Sequence, residues 1–405
     1  MQLKLLNFHK ILSNFATNIV GAFVALIIYQ ACGSFVYSFL WLVGDHSLRV
    51  IYNITLYKFY TKYPQLALAL RVIPVLISTL SVLLLDISLI AGIILILFFH
   101  PMTIAFKELP MEITFNYSSL DKGTSSTGIS RMFEQLGVVI ALIMGGLFLD
   151  YLERYIVIII AIASYLISVI PLLIYYFKQR KSTYFNKEAT SNAATGYKNI
   201  VIKQQMKKRT IKKLVFKYSL IYFIFAVFDS LMNITMLYMF YSGSEAYSFA
   251  GYIQAAFYGF FGLGGYVAGV LDEKKDITKL MCIFSVFAGI IAALVPLVIK
   301  NIVLCVIAFA IIGFFYAFTS LFCYSRMMPR ARIMGCSNLA LWGRTAGCHI
   351  SMVMMDLICL PGTFMFIPAF IVMGIFFASS AIFIPKNEES TREFLVDYLQ
   401  NNNLY

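Results

Sequence analysis

Charge is scarce in this sequence. Asp, Glu, Lys and Arg make up 13% of its 405 residues, about half the share found in an average soluble domain. Histidine is limited to His9, His46, His100 and His349. No H-E-x-x-H pair and no G-x-x-x-x-G-K-[ST] phosphate loop is present, which argues against metal-dependent hydrolysis and against ATP drive within the chain. The seven cysteines include no C-x-x-C pair, and most fall in apolar stretches. They read as small buried hydrophobes rather than as a disulfide framework or a zinc site. No catalytic constellation, metal site or cofactor is expected, and the chain does not read as an enzyme.

Apolar residues are abundant, at 60%, an excess that a soluble core of this length cannot hide. A bilayer core needs about 20 apolar residues per helix. Such runs lie at 11–31, 35–58, 66–84, 87–106, 129–149, 154–177, 215–241, 247–270, 277–299, 302–324, 335–358 and 363–384. The expected fold class is an all-α polytopic membrane protein with twelve transmembrane helices in two pseudo-symmetric six-helix bundles. Lys4 and Lys10 ahead of the run from Ile19 to Tyr29 imitate a signal peptide. Asn14 and Asn18 interrupt its start, and Gln30 spoils a lipoprotein-type cleavage box before Cys32. This segment reads as a retained first helix.

The few charges are unevenly spread. Between Lys178 and Lys217 stand twelve basic residues and one acid, Glu188, which accounts for most of the chain's net +13. Lys58 and Lys62, then Lys274, Lys275 and Lys279, then Arg326, Arg330 and Arg332 mark connections on the same side, while Arg154 and Lys300 are exceptions on the other. By the positive-inside rule both termini are cytoplasmic, in a multi-pass protein of the plasma membrane. The division is a bundle at 1–178, a basic cytoplasmic linker at 179–213, a second bundle at 214–385 and a tail at 386–405. The linker's basicity fits anionic lipid better than nucleic acid, because no aromatic stacking pattern accompanies it.

The halves echo each other weakly. Placing Gly137 on Gly347 puts Glu134 opposite Arg344, and Pro110 and Pro329 precede them in corresponding loops. Gly145, Gly146 and Asp150 close the fifth helix, and Gly265, Gly269, Asp272, Lys274 and Lys275 follow the eighth. In these features the chain resembles the major facilitator superfamily of secondary transporters. The stretch from Gly265 to Lys275 is similar to that family's Gly-x-x-x-Asp-Arg/Lys loop. The first-half loop keeps Lys58 and Lys62 but lacks the glycine and aspartate. The resemblance implies a hinge that locks the cytoplasmic side, and a central cavity lined by the first, fourth, seventh and tenth helices. It also implies that the second and eleventh helices meet across the boundary between the halves.

Charges inside membrane helices are the informative residues, since each costs about 2.5–3.5 kcal/mol at a helix centre. Asp45 and Arg49 are i,i+4, with His46 beside them, giving either a neutralised structural pair or a proton-responsive site. Asp229 has no cation within a turn, so it is protonated or faces a cation, a proton site or a substrate. Asn233 lies one turn on. Asn14 and Asn18 are either cavity residues or helix glue. His100, Tyr316 and Ser320 join the cavity set through the resemblance. Arg131 and Glu134 are i,i+3, a local pair by spacing. Arg344 and His349 complete the gating set. Arg344 is a candidate partner for Asp45, with Arg49 as the competitor, and Asp356 falls near the outer surface.

The reading is a secondary active transporter moving a small apolar or amphiphilic solute by alternating access, driven by protons. The solute class follows only from the 16% aromatic content. A non-transporting sensor or assembly factor on the same fold is the alternative.

Overall fold

The structure, a computed structural model, describes residues 2–118, 124–181, 215–216, 219–224, 226–243, 246–272, 277–333 and 336–383. Among the described residues every regular element is helical. Helices α1 (Gln2–Gly21) and α2 (Val24–Cys32) form one span with a break between them. Then come α3 (Phe35–Thr55), the short α4 (Tyr57–Lys62), α5 (Pro64–Leu70) and α6 (Val72–Leu84). Helices α7 (Leu89–Ser118), α8 (Thr124–Tyr151) and α9 (Arg154–Lys181) complete the N-terminal half. The C-terminal half has a helical stretch at 219–224 followed by α10 (Val227–Tyr241), α11 (Tyr247–Asp272) and α12 (Thr278–Val298). It ends with α13 (Ile302–Ile333), α14 (Ser337–Cys359) and α15 (Phe366–Phe383). The basic linker from residue 182 on, the C-terminal tail and the loop carrying Lys274 and Lys275 lie outside the described residues, while 179–181 belong to α9.

Nine spans among the described residues are long and apolar enough to cross a bilayer, and Phe366–Ile382 is a shorter apolar helix. Helices α3 and α14 complete the expected twelve. They fall short on hydropathy because they carry Asp45, His46 and Arg49, and Arg344, His349 and Asp356. The outward faces are apolar: on α12, Ile283, Phe287, Ile290, Leu294 and Leu297 are exposed at helical spacing. Such a stripe is suited to lipid, where every backbone group is already satisfied within its helix.

Two expectations from the sequence need correction. Helix α7 does not end at 106 but runs to Ser118, carrying Pro101 and Pro110 inside it. Helix α13 likewise continues past 324 to Ile333. The glycine-rich eighth span is one unbroken helix, α11. In the first case the charged run from Lys107 imitates a loop because hydropathy cannot distinguish a polar cavity wall from water.

Glycines set the closest helix approaches. A Cβ at Gly137 on α8 would run into the carbonyl oxygen of Ile11 on α1. A Cβ at Gly347 on α14 would run into that of Ser219, at the start of the seventh span. The repeat read from sequence therefore has a structural basis: the same glycine in each half lets its fifth helix lie on its first. The halves meet along two seams, α8 against α11 and α3 against α14.

Candidate functional site

We call the end of the bundle where α1, α8 and α14 begin the near end, and the opposite end the far end. The far end is closed by rings from both halves. Tyr29 stacks on Phe35 at 4.2 Å, and Phe35 meets Tyr241 at 5.5 Å and Phe366 at 5.7 Å. Beside them the Asp150 carboxylate of α8 accepts the backbone N–H groups of Tyr247 (2.8 Å) and Ser248 (2.9 Å), capping α11 across the boundary. The Tyr247 hydroxyl donates to Gln30. Gly146 lets the chains approach this closely: an added Cβ would lie 2.7 Å from the Tyr247 carbonyl oxygen. Also at the far end, Arg154 pairs with Asp86 at 2.6 Å, so this exception to the charge pattern is neutralised locally.

Towards the near end the halves enclose a cavity of about 240 Å³. Eight of its eighteen lining residues are Asp, Glu, Lys or Arg, against 13% in the whole chain. The aromatic content pointed to an apolar or amphiphilic solute, but many of the rings pack against one another, as in the far-end seal, and this wall is rich in charge.

On the N-terminal side of the cavity, Glu134 is held by Lys107 (3.4 Å) and Lys10 (3.8 Å). Arg131, expected beside Glu134, instead reaches across to the Ser320 hydroxyl at 3.2 Å. Two i,i+3 side chains can leave a helix in different directions when each finds a partner on a different neighbour. Arg344 donates to Glu112 at 3.2 Å, with its guanidinium over the Tyr222 ring at 5.5 Å. Its pairing with Asp45 is therefore not formed. Glu134 and Arg344 remain equivalent positions of the repeat, and both face the cavity with opposite charge.

Beyond the cavity, the α3–α14 seam collects three of the four histidines. His349 donates through Nε2 to Glu108 Oε2 at 2.8 Å, at the cavity wall. Its ring stacks 5.8 Å from that of His46. His46 Nε2 stands 3.6 Å from Asp356 Oδ2, and neither Asp356 oxygen has a hydrogen bond among the described residues. Asp356 is 0% exposed, although it stands within one turn of the far end of α14. Asp45 forms the expected ion pair with Arg49, and His100 donates to it through Nδ1 at 2.8 Å.

Asp229, Tyr316 and Ser320 line the cavity as expected, and so do Glu134, Arg344 and His349. Asn14, Asn18, Asn233 and His100 are not among the lining residues. Asn14 donates to the Glu134 carbonyl (3.0 Å) and so ties α1 to α8, whereas Asn18 donates to the Asn14 carbonyl (2.8 Å) within its own helix. His100 belongs to the Asp45 cluster. Sequence reasoning missed Lys10, Lys107, Glu108 and Glu112. The signal was present: Glu108 and Glu112 are i,i+4, one face of a helix that a hydropathy window ends too early.

Fold and site define an integral multi-pass membrane protein of the secondary-transporter class, two helical bundles around a central polar cavity. The chain belongs to the Major Facilitator Superfamily, whose family model matches residues 113–343. Among solved structures it is similar to a bacterial homologue of the iron transporter ferroportin in its outward-facing state, with a TM-score of 0.66. Identity is 12%, covering 95% of this chain and 98% of that one. It is also similar to a variant of the E. coli fucose:proton symporter FucP, with a TM-score of 0.56 and 12% identity over 95% of this chain and 98% of that one. No curated protein matches.

Proposed function

We propose that this protein is a proton-coupled secondary transporter that carries a small solute through the cavity by alternating access. The supporting observation is the series of titratable groups along the α3–α14 seam. It starts at Glu108 on the cavity wall and passes through His349 and His46 to the buried Asp356. One proton shared by His46 and Asp356 leaves that pair neutral overall. None, or two, leaves a net charge in the interior, at a cost of several kcal/mol. Because His46 and Asp356 belong to different halves, their protonation biases whether the seam stays closed. The fucose:proton symporter among the structural neighbours is compatible with this coupling.

In this proposal the bundles 1–178 and 214–385 rock about the cavity, joined by the cytoplasmic linker 179–213 and followed by the cytoplasmic tail 386–405. Basic residues assign the near end to the cytoplasm, so the cavity lies on the cytoplasmic side of the far-end seal, in a protein of the plasma membrane with its linker against anionic lipid.

The test is purified protein in liposomes with a trapped pH dye, supplied in turn with sugars, amino acids, organic acids and amines. A solute that moves protons through the native protein supports the proposal, and His46→Gln then keeps solute exchange but loses proton movement. Accumulation of a solute without proton movement refutes the coupling. Absence of flux with every class refutes the transport reading.

A further inference from the structure

The cavity contains charges of both signs, and their arrangement bears on the solute. Its cations are Lys10, Lys107, Arg131 and Arg344, and its carboxylates are Glu108, Glu112, Glu134 and Asp229. Three of the carboxylates have protein partners: Glu134 with two lysines, Glu112 with Arg344, Glu108 with His349. Asp229 is different. It lines the cavity without a hydrogen bond or ion pair among the described residues. Tyr316 and Phe261 line the cavity with it, and Phe261 packs on Tyr316 at 5.3 Å. A carboxylate set among aromatic faces is the chemistry that receives an ammonium group, through charge and through the ring quadrupole.

An opposite pole lies on the same cavity wall. Arg131 is held against Ser320 at 3.2 Å, and Ser320 follows Tyr316 by four residues on α13. Asp229 and Arg131 thus face one cavity of about 240 Å³. A guanidinium is the side chain best matched to a carboxylate. We propose that the transported solute is a small zwitterion of the amino-acid class, its ammonium group on Asp229 and its carboxylate on Arg131. This assignment rests on reading the cavity as the transported solute's site.

Other classes fit less well. A neutral sugar leaves Asp229 desolvated without a charged partner, the situation that polar sites reject most strongly. A simple amine satisfies Asp229 but leaves the Arg131 side empty. A drug-sized molecule needs about 300–1,000 Å³, more than the 240 Å³ present. Phe261 and Met352 on the wall provide apolar surface for a side chain.

The test is a thermal-shift series on purified full-length protein. The probes are the twenty common amino acids, the amines left by removing their carboxylates, the acids left by removing their amino groups, and neutral sugars. At least one amino acid should bind, with its amine and its acid each about ten- to a hundredfold weaker. Asp229→Asn should abolish the preference for the amino acid over the acid, and Arg131→Gln the preference over the amine. If either variant fails to fold, the series on the native protein decides. The proposal is overturned if no amino acid binds, if an amine or acid alone binds as tightly, or if both folded variants keep the native preferences. An amino acid that binds but never crosses a liposome membrane refutes transport and leaves only the cavity's preference for a zwitterion standing. A transported sugar or bare amine does the reverse.

Discussion

A carboxylate in the middle of a membrane bundle persists only where partners replace the water it has lost. Asp45 shows the condition met: 0% exposed, it is shared between Arg49 on its own helix and His100 on α7. Removing one member of such a buried pair leaves the other uncompensated, at about 3–5 kcal/mol. Arg49→Gln should therefore lower the unfolding free energy by about 3 kcal/mol. Joining it to Asp45→Asn should cost less than the two single changes added together. Thermal or denaturant unfolding in detergent reads both, and strict additivity would show that the pair is not coupled. The i,i+4 spacing made this pair legible in the sequence. The partners of Arg344 and His349 were not, because Glu112 and Glu108 lie 232 and 241 residues away along the chain. Residue type and spacing identify a charge that needs a partner, but only folding selects which distant charge supplies it.

At the scale of elements, the spans were legible because lipid requires long apolar runs, and misjudgements gathered where a helix stops facing lipid. Helix α7 continues past Lys107 because its last turns face the polar cavity. Helices α3 and α14 were found despite low hydropathy, since their apolar flanks remain long enough to span. The glycines of α11 mark tight packing: Gly251 and Gly262 lie against α8, and Gly264 against Phe314 of α13. Such packing gives a paired prediction. Gly137→Val places bulk against the Ile11 backbone, which cannot yield as a side chain would. The cost should be at least the about 1–3 kcal/mol of an overpacked core, seen as a lower melting temperature and a smaller folded yield. Gly265 on α11 has open space where a Cβ would go. Gly265→Ala should leave melting unchanged or raise it slightly, by about 0.5–1 kcal/mol of helix preference. Equal damage from both would mean that the α1–α8 approach does not limit stability.

For the molecule as a whole, the structure is one member of an equilibrium, with the far end shut and the cavity on the near side of that seal. Three kinds of contact hold the far end: the ring cluster around Phe35 and Phe366, the Tyr247–Gln30 hydrogen bond, and the Asp150 cap on α11. Each ring pair contributes about 0.5–1.5 kcal/mol. The cap is charge-assisted, with two backbone donors, and contributes about 1.5–3 kcal/mol per bond. The cap crosses between the halves, so it has to break when the far end opens. Asp150→Ala should therefore weaken the closed state more than it weakens either half. Phe366, 0% exposed in the seal, is the place to read this. In a cysteine-free background, Phe366→Cys should react slowly with an impermeant thiol reagent added outside intact cells. Adding Asp150→Ala should raise that rate severalfold, in line with a population shift of one or two kcal/mol. Tyr247→Phe removes only the single bond to Gln30 and should act in the same direction, less strongly. If Asp150→Ala leaves the labelling rate unchanged in correctly inserted protein, the cap does not hold the gate and the rings alone carry the closure. If the reagent reaches Phe366→Cys only from the cytoplasmic side, the far end faces inward and the orientation drawn from the lysines and arginines is reversed.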